Sequence, residues 1–175
     1  MKNFSISVKK KINYFNKSIY VEGDKSISHR ALLIASQSHG GITKISGLLE
    51  AEDVLNCIKA LRKLGVKIIK KKNEYWIFGN GLGSFKINKN ITINCGNAGT
   101  LTRLIMGLLS SYPKKIKIVG DKSLSKRPLG RVIEPLEKLG CTFYPKNKKN
   151  LPIVMQGTNF PAPIKHTETI GSAQV

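Results

Sequence analysis

The chain has 175 residues, 41% of them hydrophobic and 7% aromatic; this suffices for one domain or two small ones with a true core, and excludes a disordered or low-complexity chain. Thirty Lys and Arg face ten Asp and Glu, a formal net charge of +20, which admits a polyanion partner or a plain lysine bias, since only five of the thirty are Arg and many Lys lie in solvated runs such as Lys70-Lys71-Lys72. Three Cys with no CxxC pair argue against a disulfide framework or a zinc site and fit a reducing cytoplasm, and apolar runs such as Leu104-Ile105-Met106 stop at Gly107, far short of a membrane span.

In chain order, MKNFSISVKKK lacks the apolar stretch of a signal peptide. SIYVE (18–22) reads as a strand, 26–37 as an apolar helix and ITKIS (42–46) as a strand. Helix 52–64 carries Glu52 and Asp53 in its first turn, favourable to the helix dipole, and Val54, Leu55, Ile58, Leu61 and Leu64 on one face. VKII and YWIF follow as strands. The series then recurs: ITIN (91–94), helix 98–111, KIKIV (115–119), helix 128–139 with Pro128 at its first position, then CTFY and LPIVM. LRKLG (61–65) and LEKLG (136–140) each end a helix on a glycine where positive φ is cheap. Cys57 and Cys141 fall in apolar patterns as small core residues; Cys95 stands beside Gly96 in a turn.

The repeat has a measurable offset. Arg30 aligns with Arg103 at 73 residues, and the same step carries Ser26 to Gly99 and Gly99 to Ser172. One unit of strand, helix, strand, helix, strand, strand therefore occurs twice, and a third copy opens at Ser172. GDKSIS (23–28) and GDKSLS (120–125) are 97 residues apart and so hold different places in the repeat. Both put Lys and hydroxyls just before a helix, whose free N–H groups and positive dipole end attract anions.

The repeat-equivalent helix starts are KSISHR (25–30), NAGTLTR (97–103) and GSAQV (171–175). Small residues allow close approach to the backbone, hydroxyls donate, and Arg grips carboxylate or phosphate through two bonds. Taken together they read as a receptor for small, multiply charged anions. Each residue alone also has a structural reading: Ser26 and Thr100 as caps, Arg30 and Arg103 in salt bridges, Gly96 and Gly99 as turn glycines, His29 as a packing or surface residue. No Walker loop and no GxGxxG after a strand is present, and there is no Ser-His-Asp arrangement that sequence alone can assemble. Basic residues interleaved with aromatics, as base stacking requires, are not evident along the chain.

GDKSISHRALLIAS, GNAGTLTRLIMGLL, GDKSLSKRPLGRVIEPLEKLG and GSAQV, in this order and spacing, resemble the 5-enolpyruvylshikimate-3-phosphate synthases (3-phosphoshikimate 1-carboxyvinyltransferases) from about residue 18 to 175. The resemblance implies an α/β fold of repeated βαβαββ units, three to each of two lobes, with this chain an incomplete lobe of a longer enzyme. By the resemblance, residues 1–17 are an N-terminal segment that in the family runs with the other lobe, and 18–175 are the substrate-binding lobe, units one and two plus the start of unit three.

The implied reaction transfers the enolpyruvyl group of phosphoenolpyruvate to the 5-hydroxyl of shikimate 3-phosphate, in the cytoplasm. It uses no cofactor or metal and no nucleic-acid or membrane partner, and the complete enzyme is a monomer. By resemblance Lys25 contacts both substrates and is the catalytic residue. Ser26 and Arg30 hold shikimate 3-phosphate, with Ser172, Ala173 and Gln174 at its phosphate and ring. Gly99, in the turn that Asn97 opens, Arg127 and Gln174 hold phosphoenolpyruvate, and Arg103 is structural support. Ala173 replaces the second serine of many members. The family's acid/base carboxylates belong to the other lobe, so this chain alone is expected to be inactive. Lys25 is expected to matter and Lys122 not; Gly99 implies sensitivity to glyphosate. The competing readings are an enzyme like UDP-N-acetylglucosamine enolpyruvyl transferase and a basic nucleic-acid-binding module.

Overall fold

The computed structural model describes residues 18–168 continuously, and residues 5, 7, 9, 14, 16 and 171. Two units follow one another. The first comprises α1 (Lys25–Ser36), β1 (Ile42–Ser46), α2 (Glu52–Lys63), β2 (Lys67–Lys71) and β3 (Glu74–Phe78). The second comprises β4 (Thr92–Asn94), α3 (Gly99–Leu109), β5 (Lys115–Val119), α4 (Gly130–Leu139), β6 (Thr142–Tyr144) and β7 (Ile153–Gln156). Strand order is β1-β3-β2 in one sheet and β4-β5-β7-β6 in the other. The last three strands of each unit thus share one antiparallel pattern, while β4 adds to β5 in parallel. This is the repeated α/β unit the sequence implies.

Alternation builds the core. In β3, Tyr75 and Ile77 point inward; in β5, Ile116 and Ile118; in β7, Ile153 and Met155. The helices close over these faces. α2 buries Val54, Cys57, Ile58 and Leu61, with Leu64 just beyond its end, whereas Leu55 is only partly covered. α3 contributes Leu101, Ile105, Met106 and Leu109, all fully buried. Gly65 and Gly140 end α2 and α4 at φ +89° and +112°, the left-handed region in which any side chain is strained. All three Cys are buried and free. Burial pushes the Cys57 thiol up to about 12 and that of Cys95 to about 11, so neither offers a thiolate nucleophile at neutral pH.

Three expectations need correction. SIYVE (18–22) forms no strand: Ile19, Tyr20 and Val21 are 75%, 99% and 84% exposed, and among the described residues nothing pairs with the free edge of β1. Its repeat counterpart β4 is a strand because β5 supplies the hydrogen-bond partners. Pro128 does not open α4. The Leu129 N–H bonds the Lys149 carbonyl at 2.7 Å, Leu129 takes the cap position at φ −114°, and the helix starts at Gly130. Cys95, read as a turn residue, is a core residue whose N–H bonds the Val119 carbonyl at 2.9 Å. The third copy expected from Ser172 lies outside the described residues. Among the described residues no helix is long and apolar enough to cross a membrane.

Candidate functional site

The two GDKS segments share one device. The Asp24 carboxylate accepts the Ile27 N–H at 2.7 Å and caps α1; the Asp121 carboxylate accepts the Leu124 N–H at 2.6 Å and starts the 3₁₀ turn Leu124–Lys126. An Asp satisfying the N–H three residues on is a helix-start cap. The sequence pattern draws attention to Lys and hydroxyls, yet the common working part is the Asp. The signal was present as the D-x-x-apolar spacing in both copies. Gly23, which opens the first copy, lies against the backbone: a Cβ there would sit 2.1 Å from the Gly47 carbonyl oxygen.

At the start of α1, Lys25 forms an ion pair with Asp53 at 3.3 Å, and both partners keep contact with water. Asp53 therefore does more than favour the dipole of α2. Ser26 is bound by the Arg30 guanidinium, through its hydroxyl and through its carbonyl oxygen at 3.2 Å. One turn of helix separates the two residues, which places both side chains on one face. His29 is fully buried and its Nδ1 lies 2.8 Å from the Lys25 carbonyl oxygen, which settles it as a packing residue rather than a surface one. Glu50 precedes α2 and pairs with Lys70 at 2.7 Å; that hydrogen bond holds the Glu50 carboxyl below its ordinary range.

The start of α3 gathers more charge. Gly99 is the first helical residue and is buried; a Cβ added there would meet the Arg103 guanidinium at 3.0 Å and the Arg127 guanidinium at 3.3 Å. Both arginines thus converge on a point that only glycine leaves open. Arg127 donates to the Asn97 side-chain oxygen at 2.9 Å, linking the NAGT turn to the 3₁₀ turn. Arg103 reaches toward the Pro128 carbonyl oxygen at 3.5 Å. Burial, then the neighbouring charges of Arg127 and Arg131, lower its pKa. An open basic cleft lined by Lys122, Ser123, Lys126, Arg127 and Pro128 borders this cluster. Arg131, which the sequence reading passed over, adds charge to it and pairs with Glu168 at 3.2 Å. Its only sequence signal was a place four residues after Arg127.

The predicted residues therefore fall into two groups, Lys25–Ser26–Arg30 at α1 and Asn97–Gly99–Arg103–Arg127 at α3. Ser172, Ala173 and Gln174 lie outside the described residues. Helix N-termini and guanidinium pairs suit polyanionic ligands. Among the described residues no group of three or more His, Cys, Asp or Glu is placed to hold a metal ion.

The family profile of EPSP synthase (3-phosphoshikimate 1-carboxyvinyltransferase) matches residues 9–175. A 3-phosphoshikimate 1-carboxyvinyltransferase from Paracoccus denitrificans is 42% identical over 156 residues, 89% of this chain and 35% of that protein. One from Streptococcus pyogenes is 43% identical over 159 residues, 90% of this chain and 37% of that protein. The solved EPSP synthase of Acinetobacter baumannii superposes with a TM-score of 0.81 at 35% identity, covering 89% of this chain and 35% of that one. The chain belongs to the EPSP synthase family and spans about a third of the length of these relatives.

If Asp is the shared part of GDKS, Asp24→Ala and Asp121→Ala each lower unfolding stability by about 1 kcal/mol. Lys122→Ala stays within about 0.5 kcal/mol. Urea titration of the three variants checks this.

Proposed function

We propose that this chain supplies the substrate-binding lobe of an enzyme that transfers the enolpyruvyl group of phosphoenolpyruvate to the 5-hydroxyl of shikimate 3-phosphate. The observation that carries the reading is the convergence of Arg103 and Arg127 on the start of α3 at Gly99, where only a glycine leaves room for both. Family membership supplies the identity of the anions.

In this reading the α3 group takes phosphoenolpyruvate: Arg127 grips its phosphate and Gly99 offers backbone without a side chain in the way. The α1 group takes shikimate 3-phosphate, with Arg30 on its carboxylate and Ser26 beside it. Ser172, Ala173 and Gln174 complete that subsite. Lys25 lies between the two substrates and exchanges Asp53 for their charge. Arg103 stands beside Arg127 at Gly99 as structural support.

The chemistry explains the charge. The shikimate hydroxyl oxygen adds to the enol carbon of phosphoenolpyruvate while the methylene carbon gains a proton. The hydroxyl proton leaves to a base. The tetrahedral adduct then loses phosphate and one methyl proton, which restores the double bond. Both substrates are polyanions, and holding them in contact opposes their repulsion. Preplaced guanidinium, ammonium and helix N-terminal groups offset it and need no reorganisation during the reaction. The proton transfers require carboxylates that this lobe does not contribute. Glu50 is tied to Lys70, and Glu52 and Asp53 lie in the first turn of α2. In this reading, with the acid/base carboxylates in the other lobe, the chain alone is inactive.

Two outcomes follow for a chimera in which this chain replaces the matching third of the Paracoccus denitrificans relative. Lys25→Gln lowers kcat/KM by about a hundredfold or more, as loss of a transition-state charge partner does, while Lys122→Gln leaves it within about threefold. Equal losses at both sites in steady-state assays would overturn the assignment of Lys25. Gly99→Ala pushes Arg103 and Arg127 outward and weakens inhibition by glyphosate at the phosphoenolpyruvate site; unchanged inhibition would remove Gly99 from that site.

A further inference from the structure

The first sheet has one face under the helices and one face toward solvent. Register brings together on the outer face residues that look scattered along the chain. One row is Ile42, Phe78 and Lys67; the next is Lys44, Trp76 and Ile69; the last is Ser46, Glu74 and Lys71. Trp76 and Phe78, two residues apart on the central strand, are about 7 Å from each other along it. Lysines from both flanking strands reach over them. The Lys44 Nζ lies 4.5 Å and the Lys71 Nζ 3.7 Å from the centre of the Trp76 ring, and the Lys67 Nζ lies 4.8 Å from the Phe78 ring. Glu74 is the acid of this face, and both its oxygens are engaged, one by the Trp76 indole N–H at 3.1 Å and one by the Ser46 hydroxyl at 3.3 Å.

We propose that this face binds single-stranded nucleic acid. A pair of partly exposed rings on a rigid sheet, bordered by ammonium groups on both sides, combines stacking surface with phosphate contacts. In the free protein the ammonium groups rest on the ring faces. On binding they turn to phosphates, and bases take their place over Trp76 and Phe78. Acidic protein would use the lysines but has no need of the rings. Duplex nucleic acid keeps its base faces stacked away from them. The surface belongs to neither anion group described above and is independent of the enzymatic reading. The second sheet is less equipped: Lys115 lies over Tyr144 at 5.2 Å, and no tryptophan is present there.

Trp76 is the only tryptophan of the chain, so its fluorescence reports this face directly. The 175-residue protein is titrated with short oligo(dT) at several salt concentrations. The expected result is quenching on binding, with a log–log salt slope of about −2 for three lysine–phosphate contacts. K44Q/K71Q and K115Q/K117Q remove equal charge from the two sheets. The first is expected to weaken binding about tenfold or more and to reduce the slope by about 1.4, the second to have a much smaller effect. Trp76→Leu, followed with a labelled oligonucleotide, is expected to lose about tenfold. Absence of quenching, equal weakening by the two double variants, or equal quenching by duplex DNA or poly-glutamate would overturn the proposal.

Discussion

Like charges held together against their repulsion are the constraint on which this site depends. Arg103, Arg127 and Arg131 are close enough to act on one another, and Arg103 also gives up part of its hydration. Such a cluster survives only if the scaffold holds it. Arg103 rides on α3, whose buried face is among the most apolar parts of the core. Arg127 follows a turn that Asp121 caps and Asn97 ties back to the neighbouring loop. Arg131 is partly neutralised by Glu168. The Asn97 and Pro128 oxygens and the Glu168 carboxylate are among the groups that lower the repulsion. Arranged in advance of any ligand, the cluster is what a polyanion meets.

The repeat is the means of placing it. α1 and α3 occupy the same position in two copies of one unit, and each has a small or hydroxyl residue within its first two positions and an Arg about one turn further on. Duplication thereby turns one helix N-terminus into a row of them. The copies have diverged in use: at α1 the arginine folds back onto Ser26, while at α3 it lies beside Gly99 and reaches toward Pro128. A hydroxyl and a glycine at equivalent positions give a donor in one place and space in the other.

Much of this was legible in the sequence because it is local. ITKIS and KIKIV are strands over the same residues as expected, since strict alternation leaves few registers. The C-terminal glycines of α2 and α4 were equally plain. Non-local features were not. SIYVE has the alternation of a strand, but a strand exists only with a neighbour, and periodicity does not supply one. Pro128 has the chemistry of a helix start, but a bond from Leu129 to a distant carbonyl moved the start by two residues. The candidate site was legible as motifs and opaque as geometry: the Lys25–Asp53 pair and the approach of Arg127 to Gly99 join residues about thirty apart. The lysines around Trp76 escaped notice for the same reason, since interleaving across strands leaves no trace along one.

The central claim is that this lobe carries formed anion sites before its catalytic partner is present. The direct test is titration of the isolated chain with shikimate 3-phosphate and then phosphoenolpyruvate, followed by backbone amide NMR. The account predicts saturable shifts at Ser26 and Arg30 with the first ligand and at Asn97, Gly99 and Arg127 with the second. A well-dispersed spectrum in which these amides stay still at millimolar ligand, while inorganic phosphate moves unrelated surface lysines, would contradict it.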